Sequence, residues 1–187
     1  MLRLKEKYKK EVIPKLMEKF GYKNPFSCPK IDKVVINSGF GRMVTGKGSS
    51  EREKIQDFVL KSLSLITGQK PAPRKAKKSI AGFKLRRGMI VGAQVTLRGE
   101  RMYDFIEKLI MLVLPRTRDF RGIPLKSVDK EGNLTLGFKE FTPFPEVVAE
   151  KEKGIFGLEV TIVTTAKSRE EGIELLRLLG FPLKNKE

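Results

Sequence analysis

MIVGAQVTLRGERMYDFIEKLIMLVL, residues 89–114, changes its period halfway, and that change decides the fold. From Met89 to Arg98 the residues alternate. Val91, Ala93, Val95 and Leu97 share one face, and Gly92, Gln94, Thr96 and Arg98 share the other. That is the two-residue repeat of a half-buried strand. From Arg101 to Leu114 the repeat lengthens. Met102, Phe105, Ile106, Leu109, Ile110 and Val113 make one helical stripe, which Pro115 is expected to end. The second strand face holds no large apolar group, so it is either solvated or suited to a flat, polar partner. The alternation alone does not choose.

Upstream, Leu4, Tyr8, Val12, Leu16, Met17 and Phe20 predict a helix, kinked or restarted at Pro14 and ended by Gly21. Ile31–Asn37 predicts a short buried strand. A glycine loop follows, and Ser50 with Glu53 predicts a capping box. That helix has the core stripe Ile55, Phe58, Val59, Leu63 and Ile66, and Gly68 stops it. Downstream, residues 117–125 read as a polar turn, 133–138 and 158–165 as strands, and 140–157 as a long loop. Ser168 and Glu171 predict a second capping box, opening a helix that ends at Gly180 before Pro182. Several strand pairs lack an intervening helix, which favours an α+β sheet with helices gathered on one face. The length fits a single domain over residues 1–187.

The charge is uneven. The chain carries 39 Lys or Arg against 22 Asp or Glu, a formal +17. Between Phe58 and Gly99 there are ten basic residues and no acidic one, eight of them from Lys70 to Arg87, in KPAPRKAKKSIAGFKLRR. Self-repulsion disfavours such a cluster unless an anion meets it, and its Pro and Gly content points to a loop. A phosphate backbone is the natural anion. A basic tail kept for solubility is the rival reading, and the position between apolar segments weakens it.

Other chemistry is thin. With no His, imidazole catalysis and most zinc sites are excluded. The lone Cys28 has no His to activate it and reads as a structural thiol in a reducing cytosol. The N-terminal MLRLKEKYKKEVIP is too charged for a signal peptide. The most apolar stretch, residues 105–114, is broken by Glu107 and Lys108 and is too short for a bilayer, so no membrane partner is expected. No metal site is expected. The twelve Phe residues read mostly as core rather than as base-stacking platforms.

One segment imitates an enzyme. GRMVTGKGSS, residues 41–50, matches a phosphate-binding P-loop at Gly41, Gly46 and Lys47 and lies between a strand and a helix. Gly48 stands where a hydroxyl must hold magnesium, and Ser49 comes one residue late. A P-loop-like nucleotide-binding protein is therefore the alternative reading, and a flexible loop is the plainer one.

LITGQKPAPRKAKKS (65–79) and FKLRRGMIVGAQVTLRGERMY (83–103) carry a resemblance. With them go KVVINSGFG (33–41), RDFRG (118–122), FPE (144–146), TTA (164–166) and LLGFP (178–182), in order along the chain. Together these resemble the bacterial form of large-subunit ribosomal protein number five, the L-five family. The resemblance implies a curved, mainly antiparallel sheet with helices on one side, no enzymatic activity and no cofactor. It implies binding to 5S rRNA, attachment in the central protuberance beside 23S rRNA, and a basic loop that approaches the P-site tRNA. It also implies a bridge to small-subunit ribosomal protein number thirteen and a place in the cytoplasmic ribosome. Carried over by motif, the 5S-facing residues would be Asn37, Gln69, Thr96 and Arg98, with Lys7 and Lys9 adding phosphate contacts. The tRNA loop would include Lys75, Lys77, Lys78, Ser79 and Lys84, and such a charged arm is expected to order only when RNA arrives. Two departures stand out. Arg74 replaces the usual Thr behind Pro73, which makes the strand there an edge strand or no strand, and the glycine loop is longer than usual.

Overall fold

The change of period at residue 98 is realised as a strand running into a helix. The computed structural model describes residues 3–147 and 154–184. Its strands are Ile31–Gly39 (β1), Ala72–Lys75 (β2), Ile90–Leu97 (β3), Leu134–Phe138 (β4) and Leu158–Thr164 (β5). They form one open antiparallel sheet in the order β2-β3-β1-β5-β4 with helices packed against it, an α+β fold. The long helices span residues 4–20 (α1), Ser49–Thr67 (α2), residues 99–116 (α3) and Arg169–Leu179 (α4). β1 is longer than its apolar run and alternates buried with half-buried residues, so only one face enters the core. β2 exists in spite of Pro73 because it lies at the sheet edge, paired only with β3.

Two compact units divide the chain. The first holds Met1–Val34, Leu97–Leu136 and Thr161–Glu187. In it α1 packs on α3 and on α4. Each of α1 and α3 contains a proline, and neither stops or breaks there. A proline lacks the N–H its turn needs, and its ring crowds the carbonyl four residues back. Both helices answer with a wide π turn just upstream, Tyr8–Val12 before Pro14 and Leu109–Val113 before Pro115. There Ile13 N–H donates to Tyr8 O and Leu114 N–H to Leu109 O, five residues back. So α3 runs through Pro115 to Arg116. The cap on α4 is half as foreseen: Ser168 Oγ accepts from Glu171 N at 3.3 Å, but Glu171 reaches back to Lys167 N at 2.8 Å.

The second unit holds Val35–Thr96 and Gly137–Val160. The foreseen stripe of α2 is buried throughout. Its foreseen cap is not made: Gly48 is the N-cap, no side chain caps it, and the helix starts at Ser49. The described part of the long loop is a core element. Phe141, Phe144 and Phe156 are fully buried, Phe141 stacks on Phe156 at 4.6 Å, and Phe58 of α2 meets both edge-on at 6.0 Å. Residues 148–153 of that loop lie outside the described residues.

Candidate nucleic-acid interface

In the second unit the outward faces of β1 and β3, adjacent in the sheet, carry Asn37, Gln94 and Thr96. All three are half-buried. The strands approach closely because position 92 is Gly: a Cβ there would lie 3.0 Å from Ser38 O. Among the described residues Asn37 and Thr96 make no side-chain hydrogen bond, so both keep their donors and acceptors for a partner. Gln69 is partly committed. Its Nε2 donates to Thr96 O at 3.2 Å, while Thr67 Oγ1 donates to Gln69 O at 3.0 Å, and together these fasten the end of α2 to β3. Its side-chain carbonyl remains. Gln94 and Arg74, neither of them foreseen as site residues, are hydrogen-bonded to each other across β2 and β3. Only the strand register reveals that pair, since Arg74 lies opposite Gly92 and Ala72 opposite Gln94.

The basic loop joins β2 to β3 and has more structure than a loose arm. Ala76 N donates to Met89 O at 2.8 Å, and Gly88 N to Ala76 O at 3.0 Å. Further out, Ile80 and Leu85 exchange both backbone bonds, at 3.0 and 3.1 Å. Lys84 closes that turn with φ of 50°, a left-handed value few side chains adopt. Ser79 serves the loop itself, accepting Arg87 N–H at 2.9 Å. Lys75, Lys77, Lys78 and Lys84 are exposed. So is Phe83, at 71 %. Eight Phe residues are buried as foreseen, and Phe83 is an exception that its acid-free, aperiodic surroundings could have flagged.

In the first unit Arg98 is exposed, one residue past β3 at the start of α3, with no ion pair among the described residues. Lys9 is exposed on α1. Lys7 is half-buried and is engaged within the fold. Its ammonium donates to Leu179 O at 3.3 Å, at the C-terminus of α4, where a cation complements the helix dipole. Cys28 is buried, and desolvation pushes its thiol pKa up, as suits a structural thiol.

The segment that imitates a P-loop is not one. Gly41–Val44 winds into a helical turn, and Lys47 pairs with Glu51 at 2.5 Å on the first turn of α2. A phosphate-wrapping loop needs the successive backbone N–H groups of that stretch turned onto the phosphate, and that lysine free.

Family models and known relatives match this chain along its length. Residues 24–86 match the family model described as "Ribosomal protein L5", and residues 90–183 match the model for the C-terminus of the same ribosomal family. The chain is 52% identical over 184 residues to the "Large ribosomal subunit protein uL5" of Syntrophomonas wolfei, covering 98% of this chain and 100% of that one. It is 54% identical over 181 residues to the protein of the same name from Dictyoglomus turgidum, covering 97% and 98%. With the one from Desulforapulum autotrophicum it shares 52% over 185 residues, covering 99% and 100%. Two family models that together match most of residues 24–183, and relatives more than half identical from end to end, leave one assignment: the chain belongs to the ribosomal protein L5 family.

Proposed function

We propose that this chain, as a structural protein of the large ribosomal subunit, binds 5S rRNA and helps hold it in the central protuberance beside 23S rRNA. The family's proteins are components of the cytoplasmic ribosome and are not enzymes, and the P-loop-like nucleotide-binding alternative loses its loop geometry with Lys47 paired to Glu51. No described helix is long and apolar enough to cross a membrane. One observation carries the RNA reading: Asn37 and Thr96 hold unspent hydrogen-bonding groups on a sheet face in the same unit as a basic loop without a carboxylate. Asn37, Thr96 and the free carbonyl of Gln69 recognise the shape of a folded RNA through sugar and base edges. Arg98 offers a planar fork to phosphate or guanine, and Lys9 a point charge. Lys7 contributes only the ammonium protons that Leu179 does not take. Lys75, Lys77, Lys78 and Lys84 track the backbone of the P-site tRNA with little regard to sequence, while Ser79 shapes their loop. The candidate stretches for small-subunit protein number thirteen are residues 117–125 and the exposed described residues of 140–157, around the buried Phe141, Phe144 and Phe156.

Binding of a 5S rRNA transcript over a range of salt concentrations tests this division. Replacing the loop lysines with Gln flattens the salt dependence by roughly 0.7–0.9 log units for each phosphate no longer neutralised. Asn37→Ala and Thr96→Val lower affinity and leave the slope alone. If both sets change the slope alike, the division is wrong. If an unrelated structured RNA and duplex DNA bind as tightly as 5S rRNA, the reading itself fails.

A further inference from the structure

The glycine loop and the basic loop face each other across a cleft of about 490 Å³ in the second unit. Gly46, Lys47 and Arg52 line one side, and Ala81, Lys84, Leu85 and Arg86 with Met89 line the other. Four of these residues are cations, two from each loop region, and none is an acid. Lys47 is offset by its pair with Glu51, which does not line the cleft. Arg52, Lys84 and Arg86 make no ion pair among the described residues. Three uncompensated cations held around one concavity repel one another, and an anion in the cleft relieves this. Two guanidinium groups also suit phosphate geometry better than ammonium groups would. The surroundings favour a strand over a small nucleotide. The cleft is open to solvent, and Lys84 in its wall belongs to the same loop as the exposed Lys75, Lys77 and Lys78.

We infer that this cleft seats a backbone phosphodiester of the RNA that runs along the basic loop, with Arg52 and Arg86 as its principal contacts. This gives the long glycine loop, which imitates a P-loop in sequence, a role as one wall of an RNA groove. The inference rests on the RNA-binding reading above and adds Arg52 and Arg86 to it.

The test uses the full chain and fluorescence anisotropy with 5S rRNA and tRNA transcripts across a salt series. The variant is Arg52→Gln with Arg86→Gln. The control is Lys54→Gln with Lys61→Gln, an equal charge loss on α2 at about 180–200° from Arg52 by helical periodicity. Thermal melts confirm that both remain folded. The cleft variant is expected to bind more weakly, with a salt slope lower by roughly 0.7–0.9, the value for the one phosphate released from the protein. The control is expected to change neither by more than a small, nonspecific amount. The inference is overturned if the cleft variant matches the control on every RNA that the wild type binds. It is also overturned if ATP with magnesium raises the wild-type Tm and Arg52→Gln abolishes the rise, since the cleft would then hold a free nucleotide. A wild type that binds no RNA selectively is a different result, and it refutes the parent reading.

Discussion

Gly132 and Gly172 touch where no side chain fits. A Cβ on Gly172 would lie 2.3 Å from the Cα of Gly132, and one on Gly132 would lie 2.9 Å from the Cα of Gly172. Gly132 also has φ of +82°. Gly172→Ala is therefore expected to destabilise by at least about 2 kcal/mol, through overpacking against rigid backbone, read as a lower urea midpoint with unchanged m. Beside it, Asp129 accepts Glu131 N–H at 2.9 Å, Asn133 N–H at 2.8 Å and Asn133 Nδ2 at 2.9 Å. Partial desolvation pushes its pKa up, but the hydrogen bonds from Asn133 and its neighbours outweigh that and hold the carboxyl below its ordinary value. A depressed folded-state pKa adds stability above the unfolded value, and the gain is lost as pH falls through the folded one. Asp129→Asn should thus be less stable than wild type near neutral pH, with the gap closing below about pH 4. Constant difference down to about pH 2 would contradict this. Such roles were not legible in the sequence, and neither were those of Lys7 and Gln69. Whether a polar side chain is already spent depends on partners 172 residues away for Lys7 and 27 for Gln69.

Elements were legible wherever one period persists. β3, α2 and the stripe of α3 follow directly from alternation or helical spacing, because burial on one face selects those repeats. The signal failed where tertiary packing acts at irregular spacing. Phe141, Phe144 and Phe156 are separated by prolines and charges, so a buried aromatic cluster read as a loop. The π turns left no mark except the prolines they accommodate. Capping was legible where a hydroxyl does the work. Ser168→Ala should cost about 1 kcal/mol by loss of the bond to Glu171 N, and Ser50→Ala close to nothing, because Ser50 lies inside α2. Urea melts of the two variants check both numbers. The polar face of β3 was visible in the sequence as a face. That Asn37 and Thr96 remain unengaged on it needed the fold.

For the molecule as a whole, a surplus of 17 positive charges keeps copies apart until a polyanion neutralises them. The open sheet makes this more than a matter of solubility. β2 ends the sheet, all four of its residues are exposed, and Pro73, Arg74 and Lys75 stand on it. Pro73→Val combined with Lys75→Val should raise self-association of the RNA-free protein, seen as a larger sedimentation coefficient that grows with salt. An unchanged monomer at all salt concentrations would refute it. A ribosomal protein is made away from the particle it joins, and for that interval its unfinished rim has no cover. A prolyl nitrogen that offers nothing to an arriving strand, with two cations beside it, acts as a temporary guard. On the RNA-binding proposal, Lys75 guards this edge before assembly and meets RNA after it, so protection and adhesion come from one short stretch of chain.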